Sequence, residues 1–196
     1  MNPKQKPIVS LQYNSPVILT FALISLLVLV LGKLTDGAST SLLFCVYRSS
    51  WTDPLTYFRL LGHVFGHASW SHFSSNMVLF LVLGPMLEEK YGSKVLLRMM
   101  AITAVVSGVA HLVLFPNVAL LGASGIVFMM IVLASAAGME NGRIPVTLVL
   151  VIVVYLGSEV MQSLDNNDGI AHITHIVGGV CGAAFGVLMS RRRKRG

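Results

Sequence analysis

Long apolar runs recur from Pro16 to Met189, and no polar stretch between them is long enough to fold separately in water. Hydrophobic residues make up 55% of the 196 residues and charged residues 11%, and the mean hydropathy is +0.77. A soluble domain carries about twice that charged fraction. The pattern therefore predicts one all-α, polytopic membrane domain rather than a soluble fold.

The apolar sequence divides into six segments that are long enough for helices in a bilayer. They are Pro16–Leu31, Ser69–Leu87, Val95–Phe115, Ser124–Gly138, Val146–Leu164 and Ile170–Met189. Lys4 and Lys6 precede the first segment, as in a signal peptide, but no small-residue cleavage site follows closely, so we expect a retained helix. The predicted organisation is a cytoplasmic tail at 1–15, a six-helix membrane domain at 16–189 and a basic cytoplasmic tail at 190–196.

The distribution of lysine and arginine predicts the orientation of these six spans, because an even number of spans places both termini on one side. With the termini inside, the inner segments carry Lys4, Lys6, Lys90, Lys94, Arg98, Arg143 and the cations at 191–195. The outer segments carry only Lys33, Arg48 and Arg59. The positive-inside rule then predicts cytoplasmic termini. The net charge of +6 is thus typical of a membrane edge, and we expect no nucleic-acid partner.

Two outer loops differ in character. The loop from Gly32 to Ala68 mixes apolar and polar residues and includes Trp51 and Tyr57, so we expect it to lie at the membrane interface. The loop at 116–123 is short and carries no charge. Such a linker can lie below the membrane surface if protein covers its backbone.

The sequence Gly122-Ala123-Ser124-Gly125 begins the fourth segment. Glycines on both sides of a serine permit a tight turn and the close approach of another backbone. A serine at a helix N-terminus is often only a cap that accepts an orphan N–H. The same helix end also offers free N–H groups and a positive dipole to a developing oxyanion. Ser124 is therefore a candidate nucleophile, with capping as the alternative interpretation.

The sixth segment carries histidine and glycine on one helical face. Gly178, Gly182 and Gly186 follow His175 at steps of three, seven and eleven residues. Small residues every four positions let membrane helices pack backbone to backbone. His175 is therefore expected on the tightly packed face, as a candidate base or as a histidine with one interhelical hydrogen bond. His172 lies nearer the helix start and lacks a glycine three residues later, so His175 is the favoured base.

The second segment and its approach carry further polar groups. His72 and Asn76 are four residues apart and share a face near the outer end, and both can donate hydrogen bonds to an oxyanion. His63 and His67 are also four apart, but no glutamate stands between them as in the H-E-x-x-H zinc motif. A zinc protease is therefore disfavoured, and we expect these two histidines to form hydrogen bonds or stacks in the loop.

The candidate residues share one depth in the membrane. At a rise of 1.5 Å per residue, Ser124, His175, His72 and Asn76 all fall roughly 5–10 Å below the outer surface. A serine hydroxyl becomes a good nucleophile only when a neighbouring imidazole takes its proton, and the same imidazole can then protonate the leaving amine. The sixth segment has no acidic residue at this depth, so the sequence predicts a Ser–His dyad without metal or cofactor.

These motifs together resemble the rhomboid family of intramembrane serine proteases, in its bacterial six-helix form. The similarity runs through His67-Ala68-Ser69-Trp70-Ser71-His72-Phe73-Ser74-Ser75-Asn76, Gly84-Pro85, Glu88-Glu89-Lys90-Tyr91-Gly92-Ser93, Gly122-Ala123-Ser124-Gly125, His175-Ile176-Val177-Gly178 and Gly182. Their order, spacing and helix placement agree with the family over residues 57–186.

The resemblance implies a six-helix rhomboid-like bundle that hydrolyses substrate transmembrane segments near their outer ends. It marks Ser124 as nucleophile, His175 as general base, and His72 and Asn76 as oxyanion donors together with the Ser124 N–H. It also implies a bacterial inner-membrane location, an active site open to the outer side, and the lipid bilayer and substrate transmembrane segments as partners. The supporting residues that it implies are Gly122, Gly125, Gly178, Gly182, Arg59 and Glu88.

Two positions depart from the family pattern, because Phe58 replaces the usual tryptophan and Phe128 replaces a tyrosine that often stacks on the catalytic histidine. Neither change removes a reacting group. A transporter is disfavoured because no internal repeat is visible and the polar layer lies towards one side. A non-catalytic rhomboid relative would be expected to lack the serine or the histidine, and this sequence has both.

Overall fold

The computed structural model describes residues 13–115, 117–138 and 170–193, together with residues 146, 149, 150, 153 and 154. The helices are α1 (Pro16–Leu34), α2 (Ala38–Leu43), α3 (Pro54–Gly62), a 3₁₀ turn (His63–Phe65), α4 (Trp70–Tyr91), α5 (Ser93–Leu114), α6 (Ser124–Gly138) and α7 (Ile170–Arg193). The described residues form an all-α fold, as the apolar pattern predicts.

Helix α6 lies at the centre of the described bundle and packs against α4, α5 and α7. Its side chains are apolar all round, and Val127, Met129, Met130 and Leu133 are fully buried although they point in different directions. A fifteen-residue helix is only about 22 Å long, shorter than a bilayer core of about 30 Å. Because its neighbours enclose it, α6 can begin below the level of their outer ends.

Three described helices are long and apolar enough to cross a membrane, namely Pro16–Leu34, Ser93–Leu114 and Ile173–Ser190. Helix α4 is 22 residues long, but its first turn carries Ser71 and His72 and its last turn carries Glu88, Glu89 and Lys90. Large apolar side chains such as Val82, Val113 and Val180 are exposed on the outside of the bundle, where lipid can cover them. The protein is therefore a polytopic membrane protein.

The loop between α1 and α4 is largely structured. It contains α2, α3 and the 3₁₀ turn, and Asp53 caps α3 by accepting a hydrogen bond from the Leu55 N–H at 2.9 Å. Val46 and Leu120 exchange two backbone hydrogen bonds of 2.8 Å, the one extended pairing among the described residues. This pairing joins the loop between α1 and α4 to the segment that precedes α6.

The observed helix bounds differ from the sequence prediction at several ends. Helix α1 continues three residues further, to Leu34, and α7 continues through the arginines to Arg193 instead of ending at residue 189. Ser69 is the N-cap of α4 rather than its first helical residue, because its hydroxyl accepts the His72 N–H at 3.1 Å. The predicted span Val146–Leu164 lies mostly outside the described residues, and its five described positions are helical.

Candidate active site

Helices α6 and α7 make the most extensive helix–helix contact of the described bundle, and they pack backbone to backbone. A Cβ atom built on Gly178 would collide with the carbonyl oxygen of Gly125. One turn further, a Cβ on Gly182 would lie 2.5 Å from the Met129 carbonyl oxygen, and one on Gly186 would lie 2.7 Å from the Ala136 Cβ. The glycine face of α7 therefore fits only against the backbone of α6.

Ser124 and His175 lie on these two helices close to the Gly125–Gly178 crossing. Ser124 is the first residue of α6 and is partly exposed, whereas His175 is 5% exposed and lies one turn before Gly178. The His175 ring stacks on Phe128, which follows Ser124 by one helical turn, with ring centroids 4.3 Å apart and an interplanar angle of 12°. The imidazole thus occupies the face of α6 that also carries the serine.

The residue before the Ala123–Ser124 step has a backbone conformation that favours glycine. Gly122 has φ of +125°, and a Cβ atom at this position would lie 2.8 Å from Nε2 of His72. The imidazole of His72 is therefore in contact with the backbone two residues before Ser124. Leu120 and Ala123 are buried, so protein covers the end of this linker, whereas residues 117–119 are exposed.

Asn76 lies one turn after His72 on α4 and is 1% exposed. Its Nδ2 donates to the His72 carbonyl at 2.8 Å, and its Oδ1 has no partner among the described residues. An amide NH₂ has two protons, so one remains after this bond. Helix α4, which carries both candidate oxyanion donors, packs against α6, the helix that begins at Ser124.

His63 and His67 make local hydrogen bonds and ring contacts. Nδ1 of His63 lies 3.2 Å from the Arg59 carbonyl and Nδ1 of His67 lies 3.1 Å from the Phe65 carbonyl, so each ring donates to the backbone. The His67 ring meets the His72 ring edge-on at 5.1 Å. Burial lowers the pKa of His63 to about 4 and that of His67 to about 4, so both are neutral at pH 7. The side chain of His172 lies outside the described residues.

Comparison with known proteins identifies the family of this chain. A family model described as the Rhomboid domain matches residues 54–192. The chain belongs to the rhomboid family. This is a family of intramembrane proteases, and the match covers every residue placed above in the candidate site.

A curated rhomboid relative is Rhomboid-like protein 11, chloroplastic, from Arabidopsis thaliana. It is 26% identical over 149 residues, which cover 69% of this chain and 53% of the relative. The chain thus spans about half the length of the curated relative that it matches.

Arg59 of this rhomboid links several parts of the loop between α1 and α4. Its side chain is buried, Nε donates to the Leu42 carbonyl at 2.8 Å, and Nη1 pairs with Asp53 at 3.3 Å. The guanidinium also lies over the Tyr47 ring, 4.5 Å from its centroid. Phe58, at the position where tryptophan is usual, is 47% exposed and meets Phe44 edge-on at 6.0 Å. These three contacts of the Arg59 side chain all lie within the loop between α1 and α4.

Glu88 ties α4 to the start of α1. Its carboxylate oxygens accept the Val17 and Ile18 N–H groups, each at 3.1 Å, and the Ser93 hydroxyl donates to it at 2.7 Å. Ser15 makes no side-chain cap for α1. Glu88 thus supplies the cap from a distant part of the chain, and its negative charge also suits the positive end of the α1 dipole.

Sequence reasoning did not identify His111, which the structure places against the segment that leads to Ser124. His111 is 2% exposed in the last turn of α5, and its Nε2 lies 2.8 Å from the Val118 carbonyl oxygen. The sequence gives no motif for this bond, because every residue has a carbonyl and a separation of seven positions is not typical of a known turn or cap. Only the turn of the chain after α5 brings the two groups together.

Proposed function

We propose that this rhomboid is a serine endopeptidase that hydrolyses peptide bonds in or near the transmembrane segments of membrane proteins. Ser124 is the nucleophile and His175 the general base. The observation that carries the proposal is the tight α6–α7 crossing, which supports the serine and the Phe128-stacked histidine on facing helices.

The chemistry of the dyad follows the usual order for a serine hydrolase. His175 takes the proton of the Ser124 hydroxyl while the oxygen attacks the scissile carbonyl, and it then delivers that proton to the leaving amine. A water molecule, deprotonated by the same imidazole, then attacks the acyl carbon, and the imidazolium returns the proton to the Ser124 oxygen as the acyl–oxygen bond breaks. Helix α7 contains no carboxylate, so the stack on Phe128 and the α6 contact take over the orientation of the ring.

The tetrahedral intermediate needs donors for its negative oxygen. The backbone N–H of Ser124 is an orphan group at the N-terminus of α6, where the helix dipole also favours negative charge. Nε2 of His72 lies beside Gly122, and Asn76 has a second amide proton. Loss of one such donor typically raises the barrier by about 3–4 kcal/mol.

The substrates in this proposal are transmembrane segments, and the bilayer is the solvent in which they meet the enzyme. The positive-inside pattern supports cytoplasmic termini and an active site towards the outer side, and the proposed location is a bacterial inner membrane. Scissile bonds are expected between small residues in segments with weak helices, because a stable helix hides its carbonyls from attack.

The test is cleavage of a transmembrane-segment substrate by the purified protein in detergent. Ser124→Ala and His175→Ala are each expected to lower kcat at least about 10³-fold. Ser135→Ala is the matched control, since Ser135 lies on the same helix and its hydroxyl donates to the Ile131 carbonyl within that helix, and it should cut like the parent. A fluorophosphonate should label the parent and Ser135→Ala but not Ser124→Ala.

Cleavage by Ser124→Ala or His175→Ala at the parental rate would refute the dyad. A folded parent that neither cleaves nor reacts with the fluorophosphonate would instead indicate a rhomboid that binds transmembrane segments without cutting them. Chelator is expected to leave the rate unchanged, and a loss of activity would favour a metal mechanism.

A further inference from the structure

The segment from Asn117 to Gly122 leads directly to Ser124 and so determines where α6 begins. Val46 and Leu120 exchange two backbone hydrogen bonds, and the Gly122 N–H donates to the His63 carbonyl at 2.9 Å. These bonds hold the middle and the end of the segment. In all three bonds the partner is a backbone group, of Val46 in the loop between α1 and α4 or of His63 in the 3₁₀ turn.

The beginning of the segment is held by a side chain. Nε2 of His111 lies 2.8 Å from the Val118 carbonyl oxygen, and a carbonyl only accepts, so the imidazole proton must be on Nε2. The ring is 2% exposed and lies against Phe115 with centroids 5.7 Å apart. Its position is therefore fixed by packing, and the donor points at one carbonyl.

We infer that His111 is a positioning residue for the nucleophile: its Nε2–H holds the Val118 carbonyl and thereby sets the place of Ser124. The inference rests on the proposed function, because Ser124 matters only if it reacts. Displacement of a reacting atom by about 1 Å can lower a rate about 10²-fold, so a loosened segment should lower kcat. His111 itself touches none of the proposed reacting groups.

The alternative is that His111 only fills space at the end of α5. Substitution of His111 by glutamine or by asparagine distinguishes the positioning role from the space-filling role. Glutamine places its NH₂ near the position of imidazole Nε2, whereas asparagine places it near Nδ1. His111→Gln keeps a donor within reach of the Val118 carbonyl, whereas His111→Asn is equally polar but too short. His111→Leu keeps bulk without any donor.

The experiment compares the parent with these three variants in detergent. For His111→Asn and His111→Leu we expect kcat to fall about 10- to 100-fold with KM within about 3-fold, whereas His111→Gln should stay within about 3-fold of the parent. Hydrogen exchange followed by mass spectrometry should show faster exchange of the peptide covering residues 117–123 in His111→Asn and His111→Leu only. The exchange result does not depend on proteolysis.

Equal kcat for His111→Gln and His111→Asn, or unchanged exchange of residues 117–123 in all variants, would overturn the positioning role. If His111→Leu does not fold, the two amide variants decide the question alone. If the parent does not cleave at all, the proposed function fails, and the exchange comparison still decides whether His111 holds the segment.

Discussion

Phe128 lies flat against the His175 imidazole, and in the proposed mechanism this contact helps to orient the base. Phe128→Tyr keeps the ring, so kcat is expected within about 3-fold of the parent. Phe128→Leu keeps bulk but loses the ring pairing, which is worth about 0.5–1.5 kcal/mol, so kcat should fall up to about 10-fold. Steady-state cleavage assays measure both. Equal rates for Phe128→Leu and the parent would show that the stack does not orient the base.

Gly122 combines a left-handed backbone with a close neighbour, and the two effects can be separated. Gly122→Ala places a methyl group 2.8 Å from Nε2 of His72, so the imidazole or the segment must move, and kcat should fall about 10- to 100-fold. Gly37 also has positive φ, +86°, but a Cβ there meets nothing within 4 Å. Gly37→Ala therefore carries the backbone strain alone, and its kcat should stay near that of the parent in the same assay.

Among the helices, the start of α1 depends on one carboxylate from another part of the chain. Glu88→Ala leaves the Val17 and Ile18 N–H groups without their acceptor, and we expect the free energy of unfolding to fall by about 2 kcal/mol. Glu89 is the matched control because it is adjacent in sequence and exposed, so Glu89→Ala should change stability by less than about 0.5 kcal/mol. Thermal unfolding in detergent compares the two. Equal midpoints would contradict the capping role.

The sequence was sufficient to predict elements that depend on local patterns. The start of α6 at Ser124 follows from Gly-Ala-Ser-Gly before an apolar run, and the glycine spacing predicts a tight face on α7. The helix that packs against this face is determined by tertiary packing, and the local sequence pattern does not predict that it is α6. In the sequence, Glu88 lies 71 positions from Val17 and 70 positions from Ile18, whose N–H groups it accepts. Arg59 lies 17 positions from Leu42, to which it donates. No periodicity reports such distant pairs.

Taken as a whole, the molecule is a set of lipid-facing helices around a buried, short helix that carries the candidate nucleophile. Hydropathy predicts the helices because lipid selects apolar side chains along the whole span. Hydropathy does not predict α2, α3 and the 3₁₀ turn in the loop between α1 and α4, because these helices are short and many of their contacts are polar. The histidines of that loop were correctly expected to form local hydrogen bonds, but the deep burial of His63 depends on α1 and α5, which pack against the 3₁₀ turn that carries it.

This burial predicts how the whole molecule responds to acid. Burial lowers the pKa of His63 and of His67 to about 4, against 6.5 for an exposed histidine. Between pH 6.5 and 4 these two histidines are therefore protonated in the unfolded chain but largely neutral in the folded protein. The free energy of unfolding should fall with falling pH by up to about 1.4 kcal/mol per pH unit for each histidine. Above pH 6.5 both states are neutral at these positions, and this dependence should vanish.

Thermal unfolding of the Ser124→Ala protein in detergent, from pH 4 to pH 8, measures this dependence without self-cleavage. His67→Asn supplies the control, since an amide can still donate to the Phe65 carbonyl but does not titrate. Between pH 6.5 and 4, the free energy of unfolding of the His67→Asn variant should change less with pH than that of the Ser124→Ala protein, by the contribution of one histidine. An identical slope in the two proteins would mean that His67 binds its proton in the folded state as readily as in water. The packing of its ring against His72 would then be looser than the 5.1 Å contact implies, because a tightly enclosed imidazole cannot be solvated as a cation.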